Sequence, residues 1–284
     1  MPPGTLLSMP WGSLVMSIRA VGSILALTLL ALAGCQRESE APQAPAAPPP
    51  PPCSLTMGWD PWEPYHFEDV DGRLRGLEIE LVEAIAEDAG CTMRYERGHW
   101  NQLLRKLDAG EIDVLSSATP TEERRAFALF SQPYRSESFR LYVRAGELGR
   151  FQQPDLGAMI AAGMRVGTTL GYVYGPAISA LRDADATAGA FVDHAEAELA
   201  LLALIENRVD GVLEDPYVAA AILRRRGWQD AVVQHPLDLG ENQVSFMFSK
   251  ASVKPELVER FDRSLAKLKA AGELDRIIAR YRLN

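Results

Sequence analysis

One stretch sets the pattern that the rest of the chain repeats: residues 76–95 read GLEIELVEAIAEDAGCTMRY. Its apolar residues recur at helical spacing, which predicts an amphipathic helix over Glu78–Ala89, and Gly90 is of the residue type that ends helices. The β-type runs on either side, Ser54–Trp59 before it and Thr92–Tyr95 after it, predict strands. Strand, helix and strand in this order indicate parallel strands, so the sequence predicts an α/β fold.

The same alternation continues along the chain. After a helix that ends in a glycine or asparagine turn, an aspartate enters an apolar strand twice, at Asp113 and at Asp210, and this repetition predicts two similar lobes. Because ligands bind beyond the carboxyl ends of strands in such sheets, we expect the site in the segments that follow the strands. The further predicted elements are helices at Asn101–Asp108 and Ala195–Glu206, strands at Ile112–Leu115, Phe139–Val143, Arg165–Thr168, Val209–Leu213 and Val244–Phe248, and two helices within Pro255–Arg280.

The composition excludes several classes of protein. Apolar residues make up 47% and charged residues 24% of the 284 residues, which is typical of a folded globular protein and excludes wholesale disorder and a multi-span membrane protein. The net charge is −9, and the sequence has no extended cluster of Lys and Arg. We therefore expect no nucleic-acid partner.

The N-terminus has the pattern of an export signal. The apolar run Ala20–Leu32 is shorter than the roughly 20 residues that span a bilayer. It leads into Leu-Ala-Gly-Cys35, which looks like a bacterial lipobox, so we expect a lipoprotein signal peptide at 1–34 and lipidation of Cys35; a plain signal peptide is the alternative. The proline-rich residues 35–52 predict an extended tether. The expected location is periplasmic or cell-surface, held to a membrane by lipid.

The remaining cysteines suit such an oxidising compartment. Cys53 and Cys91 each stand at the start of one of the first two predicted strands, and these strands are neighbours in a doubly wound sheet. A disulfide between them is therefore expected. The four histidines have no metal-ligand spacing, and we expect neither a metal nor a cofactor.

Short motifs in a fixed order carry a resemblance to a known family. They are Gly76–Leu81 with Ile85, Ala86 and Ala89, then Trp100, Gly110–Val114, Thr121–Arg124, Phe130–Tyr134 and Ile277–Tyr281. In these motifs, which extend over residues 53–284, the chain resembles the bacterial extracellular solute-binding proteins of family 3, the polar amino-acid receptors of ABC importers.

The resemblance implies a two-lobed periplasmic binding protein fold of type II, with a mostly parallel sheet flanked by helices in each lobe. Lobe one would comprise 53–135 plus 245–284, and lobe two 136–244. Two strands would join the lobes as a hinge, near Tyr134–Ser138 and Gly240–Val244, and the lobes would close over the ligand.

The resemblance also implies the polar part of the site. It puts the ligand carboxylate on Arg124, with backbone amides near Thr119, and the ligand ammonium on Asp215 and the carbonyl of Ser117. A guanidinium suits the first role because its planar fork pairs with both oxygens of a carboxylate. Neither Arg124 nor Asp215 is expected in the core, and the alternative for Arg124 is a solvated helix residue or an ion-pair partner.

Aromatic and loop residues complete the implied site. Trp62 and Trp100 would stack on the ligand, with core packing as their alternative role, and Asp60 matches the acid of the first strand-to-helix loop. Gly171 opens the second lobe's part of the site. Tyr172 follows it where relatives usually carry Ser or Thr, so it narrows the pocket or supplies a replacement hydroxyl.

The acids around the site suggest a preference for one charge. Asp60, Glu63 and Glu214 exceed the need of a neutral zwitterion, which favours a ligand with a cationic or hydrogen-bond-donating end; if Glu63 and Glu214 point to solvent, this preference disappears. Glu78 and Glu80 stand at a helix start and are interpreted as structural, through the helix dipole.

The predicted function is capture of a small polar solute, foremost an amino acid, for an ABC permease of the inner membrane, by a monomer without catalysis. One alternative is an enzyme on the same fold, similar to periplasmic cyclohexadienyl dehydratases, with Glu214 or Glu63 as general acid. The other is an accessory or sensory lipoprotein whose closed form contacts a receptor.

Overall fold

The computed structural model of the protein describes residues 53–281. The predicted signal peptide 1–34, the lipidation site Cys35 and the tether 35–52 lie outside the described residues. Among residues 53–281, no helix combines the length and the apolar character that crossing a bilayer requires.

Strands and helices alternate through the described chain. The strands are β1 Cys53–Trp59, β2 Phe67–Glu68, β3 Leu74–Arg75, β4 Cys91–Arg97, β5 Val114–Ala118, β6 Ala128–Phe130, β7 Arg135–Arg144, β8 Val166–Thr169, β9 Phe191–His194, β10 Gly211–Glu214 and β11 Val232–Ser249. The helices are α1 Leu77–Asp88, α2 Trp100–Ala109, α3 Glu122–Phe127, α4 Leu156–Ala161, α5 Pro176–Asp183, α6 Ala197–Ile205, α7 Pro216–Arg226, α8 Pro255–Ala270 and α9 Glu273–Tyr281. Each helix and strand expected from the sequence is present, with displaced ends.

The main sheet of the described residues is mixed and has the order β4-β1-β5-β11-β7-β10-β8-β9, and β6 also pairs with β11. Strands β2 and β3 form a separate antiparallel pair. We call β1, β4, β5 and β6 with α1–α3, α8 and α9 the first lobe, and β8–β10 with α4–α7 the second lobe. Within each lobe the pairs β1–β4, β1–β5, β8–β10 and β8–β9 are parallel. The two-lobed α/β fold is therefore confirmed, and within this sheet every antiparallel pair involves β7 or β11.

Two long antiparallel strands connect the lobes. β11 has 18 residues and pairs with β7 along its first part and with β5 and β6 at its end. The sequence predicted only the apolar ends of these strands, Phe139–Val143 and Val244–Phe248. The polar residues between them are held in strand conformation by pairing, such as Asn242 with Glu137. The lobe boundaries 53–135 plus 245–284 and 136–244 stay a prediction.

Helix α1 packs the first lobe against its sheet. Leu81, Val82 and Ile85 are fully buried on one face of the helix, as its apolar spacing predicts. The helix begins after Gly76, whose φ is 132°. A Cβ at this position would lie 2.1 Å from the carbonyl oxygen of Tyr65, so only glycine fits where the preceding loop crosses the helix start.

The expected disulfide joins β1 to β4. Cys53 and Cys91 are register partners on the two parallel strands, their Cα atoms are 4.5 Å apart, and the two sulfur atoms are bonded. The cross-link therefore ties the first described residue to the edge strand of the sheet.

Glu78 does more than its assignment to a helix dipole implied. Its carboxylate is fully buried and accepts hydrogen bonds from Arg135 Nε at 2.7 Å, Ser117 Oγ at 2.8 Å and Tyr134 Oη at 2.5 Å. It thus anchors the start of β7 to the first lobe by a buried ion pair. Glu80 pairs with Arg280 at the surface.

Candidate functional site

The candidate site is a cavity of about 30 Å³ between the lobes, beyond the carboxyl ends of β1, β5 and β8. Its walls carry acids, an arginine, hydroxyls and aromatic rings. They are Asp60, Trp62, His66, Trp100, Ser117, Thr119, Arg124, Glu137, Phe139, Tyr172 and Val173. Such a volume holds a molecule about the size of water, so an amino acid enters only after the lobes separate.

The structure brings most of the expected site residues to this cavity. Gly171, Glu214 and Asp215 do not line it. Each of them forms a hydrogen bond, described below, with a residue at the cavity or next to it. Sequence reasoning missed His66, Glu137, Phe139 and Val173. Phe139 begins a predicted strand, whereas Glu137 lies in the polar segment before it and carried no signal of its own.

Arg124 is held at the start of α3, where the hydroxyl of Thr121 caps the helix by accepting from the Arg124 backbone N–H at 3.2 Å. The guanidinium is 6% exposed, so the expectation that it lies outside the core is wrong. It donates to the carbonyl oxygens of Thr119 at 2.9 Å and Gly171 at 2.8 Å. Burial lowers its pKa to about 10, which leaves it charged at neutral pH.

The carbonyl of Gly171 joins the two lobes. It accepts from Arg124 and also from Trp100 Nε1 at 3.0 Å. The φ of Gly171 is 82°, and a Cβ here would lie 3.2 Å from the Trp100 ring, so a side chain at this position would disturb the contact.

Tyr172 occupies the aromatic part of the cavity. Its ring meets Trp62 and Trp100 edge-on, with centroid distances of 6.1 and 6.0 Å, and its hydroxyl donates to Asp60 Oδ2 at 3.3 Å. The two tryptophans thus contact a ring of the chain itself in this conformation. Burial raises the pKa of Asp60, and the neighbouring His66 opposes that rise.

Glu214 lies behind Trp62 and is fully buried. Its Oε1 accepts from Trp62 Nε1 at 3.2 Å and from the backbone N–H of Asp215 at 3.0 Å, while its Oε2 has no hydrogen-bond partner in the described part of the chain. Burial is the main cause that raises its pKa to about 8. At neutral pH the side chain is therefore mostly a neutral carboxylic acid.

Asp215 caps helix α7. Its Oδ1 accepts from the backbone N–H groups of Tyr217 at 2.8 Å and Val218 at 3.2 Å, and its Oδ2 accepts from Tyr65 Oη at 3.0 Å. Both oxygens are thus engaged, and the side chain is 2% exposed. The expectation that Asp215 lies outside the core is wrong, because the helix cap requires its burial here.

The count of acids around the site differs from the expectation. Glu63 pairs with Arg225 at 3.0 Å on the surface and does not reach the cavity. Glu137 of β7 lines the cavity in its place and is 5% exposed. Burial is the main cause that raises its pKa to about 8.

These contacts hold the lobes together. Hydrogen bonds cross the cleft from Arg124 and Trp100 to Gly171, from Trp62 to Glu214, from Tyr65 to Asp215 and from Tyr172 to Asp60. The arrangement describes a closed cleft in which a buried arginine faces a buried acid among aromatic rings. The chemistry of these side chains suits a small molecule that carries a carboxylate and a hydrogen-bond-donating or cationic group.

The chain is similar to known solute-binding proteins. The model of the bacterial extracellular solute-binding proteins, family 3, matches residues 55–284. A probable histidine-binding protein of Campylobacter jejuni subsp. jejuni serotype O:2 is 27% identical over 263 residues, which cover 92% of this chain and 96% of that protein.

Solved structures are similar in fold. An ancestral arginine-binding protein bound to glutamine has a TM-score of 0.67 at 25% identity and covers 80% of this chain and 97% of its own. The ancestral amino-acid-binding protein AncCDT-1, a precursor of cyclohexadienyl dehydratase, has a TM-score of 0.65 at 22% identity, with 80% and 95% covered. At 22% identity, the likeness to AncCDT-1 concerns the fold alone.

Proposed function

Because the chain belongs to the bacterial extracellular solute-binding proteins of family 3, we propose that it captures an α-amino acid between its lobes for an ABC importer. The observation that carries the proposal is the buried guanidinium of Arg124 at a cavity lined by Trp62 and Trp100. A buried arginine beside aromatic rings suits a carboxylate that is removed from water on binding. The names of the relatives, histidine-binding and arginine-binding, make these two amino acids the first ligands to try.

The proposed mechanism is hinge closure. With the lobes apart, a carboxylate approaches Arg124 on the first lobe, and closure then brings Gly171 and Tyr172 of the second lobe over it. The hinge lies in the paired segments of β7 and β11, where Arg135 is the register partner of Val244. Ligand binding shifts the equilibrium towards the closed form because only that form contacts the ligand from both sides.

The setting of this function is also a proposal. We place the protein outside the cytoplasm as a monomer, attached through lipid on Cys35 and the tether 35–52, with a permease of the inner membrane as its partner. The support is the pattern of the N-terminal sequence and the family membership.

The test is a binding screen with the purified protein. Thermal-shift measurements with the twenty standard L-amino acids and L-cystine, followed by calorimetry on those that stabilise, identify the ligand. Arg124→Ala should weaken its binding by about 30-fold or more, because a buried charge partner typically contributes 2 to 5 kcal/mol. Arg125→Ala is the matched control, since Arg125 is the next residue and is exposed. Equal binding by the Arg124→Ala variant would refute the carboxylate role.

One observation favours a second candidate, a dehydratase-like enzyme. A general acid must hold a proton at neutral pH, and Glu214 does so because burial raises its pKa to about 8. Glu63, the other proposed acid, pairs with Arg225 on the surface instead. Incubation with prephenate separates the candidates: turnover that Glu214→Gln abolishes establishes the enzyme, and absence of turnover beside amino-acid binding excludes it.

A further inference from the structure

Strand β7 directs a row of side chains towards the cleft. Alternate residues of a strand share a face, and Arg135, Glu137 and Phe139 are two residues apart. Glu137 and Phe139 both line the cavity, and Glu137 is 5% exposed. The hinge strand therefore supplies a buried carboxylate to the cavity from a position that no motif indicated.

The carboxylate of Glu137 is not satisfied by the chain. No donor among residues 53–281 hydrogen-bonds to it, and the closest cationic atom is Arg135 Nη2, 3.8 Å from its Oε1. Arg135 is already engaged by Glu78 through Nε at 2.7 Å and by Ser117 through Nη2 at 2.6 Å. A buried carboxylate without hydrogen bonds is unfavourable unless another molecule supplies the donors.

Asp215 differs on this point. Its Oδ1 accepts two hydrogen bonds from the first turn of α7 and its Oδ2 accepts one from Tyr65, so three of about four acceptor sites are occupied. Asp215 also does not line the cavity, whereas Glu137 does and receives no hydrogen bond within residues 53–281.

Glu137 also lies at the same cavity as Arg124. Both residues line the cavity, and Glu137 is the charge that acts most strongly on Arg124, yet they form no direct ion pair in the described structure. An α-amino acid carries its carboxylate and its ammonium on neighbouring atoms, so it can join such a separated pair. We propose that Glu137 supplies a carboxylate to the α-ammonium group of the ligand. This inference rests on the proposed function and names a further residue of its site.

The test compares amino acids with analogues that lack only the α-amino group. L-histidine, L-arginine and L-glutamine are each paired with the deamino analogue, and the ratio of the two dissociation constants is measured by calorimetry. We expect the wild type to prefer the amino acid by about 30-fold or more. Glu137→Gln should reduce this preference to about threefold or less, and Glu137→Asp should restore part of it. Asp215→Asn, which keeps a capping oxygen, is measured beside these variants.

Stability of the free protein separates this role from a structural one. Because Glu137→Gln removes a buried acid that receives no hydrogen bond within residues 53–281, the ligand-free variant should unfold at the same temperature as the wild type or higher. Glu137→Leu, which cannot bind an ammonium, should behave likewise in both measurements. A ratio that stays high in Glu137→Gln and falls in Asp215→Asn would overturn the inference and leave the proposed function standing. If no amino acid binds the wild type at about 1 mM, both fail.

Discussion

Amino-acid binding should depend steeply on pH, and the perturbation that shows it is a change from pH 6 to pH 8. Burial holds the pKa of Glu137 at about 8, against the pull of Arg135, while neighbouring acids add to the rise. The charged and titratable groups that face it are Glu78 of α1, Arg124 of α3, Arg135 of β7, Glu214 of β10, Asp215 at the start of α7, and Tyr65 and Tyr172 of two loops.

The sign follows from which form binds. Only the ionised carboxylate pairs with an ammonium, and below pH 8 the free protein holds Glu137 protonated, so binding must release a proton there. Each unit of pH below the pKa therefore weakens binding tenfold, which amounts to about 100-fold at pH 6 relative to the plateau above pH 8. Affinity rises with pH and then levels.

The assay is calorimetry with L-glutamine, or another amino acid of the screen whose side chain does not titrate, between pH 6 and pH 8.5. Repeating each titration in buffers of different ionisation enthalpy counts the released protons directly. We expect close to one proton per ligand at pH 6, and a flat profile without proton release in Glu137→Gln.

Glu214 supplies the necessary comparison, because burial raises its pKa to about 8 as well. Glu214→Gln should keep the slope, since Glu214 does not line the cavity. A wild-type affinity that is constant from pH 6 to pH 8 would refute the reasoning. So would a slope that disappears in Glu214→Gln and persists in Glu137→Gln.

Two further results are expected. Replacing Cys53 and Cys91 by serine should lower the free energy of unfolding in urea by about 4 kcal/mol, since the disulfide closes a loop with a sequence separation of 38; a loss below about 1 kcal/mol would contradict the chain-entropy account. Tyr172→Ser should enlarge the cavity and admit bulkier side chains, because the tyrosine ring contacts Trp62 and Trp100. An unchanged order of affinities across the amino-acid screen would show that the ring does not limit the site.

The sequence was sufficient to predict those elements and contacts that follow directly from a local pattern. The spacing of α1, the glycine that ends it and the parallel strands beside it follow from periodicity, and the position of Cys53 beside Cys91 follows from the strand order. Arg124 was identified because its helix start is a recognisable motif, Thr121-Glu-Glu-Arg. Its burial and its contact with Gly171 could not be predicted, because they depend on how closely the lobes approach.

The place of Glu137 in the cavity could not be predicted from the sequence, for a different reason. Residues 135–138 read Arg-Ser-Glu-Ser, which has no strand propensity, and only pairing with β11 makes them part of a strand. For Asp215 the sequence contained one role and the resemblance implied another, a ligand contact that stays a prediction. Asp215-Pro216 before a helical run is a capping pattern, so the sequence did contain its observed role, but the resemblance to the family favoured a ligand contact instead.

The pairing of Arg135 with Val244 also has a consequence for how the chain can be rearranged. The segment between these two residues leaves the first lobe and returns to it through adjacent strands, so its two ends lie side by side. A segment whose two ends are adjacent can be replaced by another segment without changing the path of the remaining chain. Grafting residues 136–243 from a relative would thus replace the second lobe, while β1, β4 and their disulfide keep the first lobe as it is.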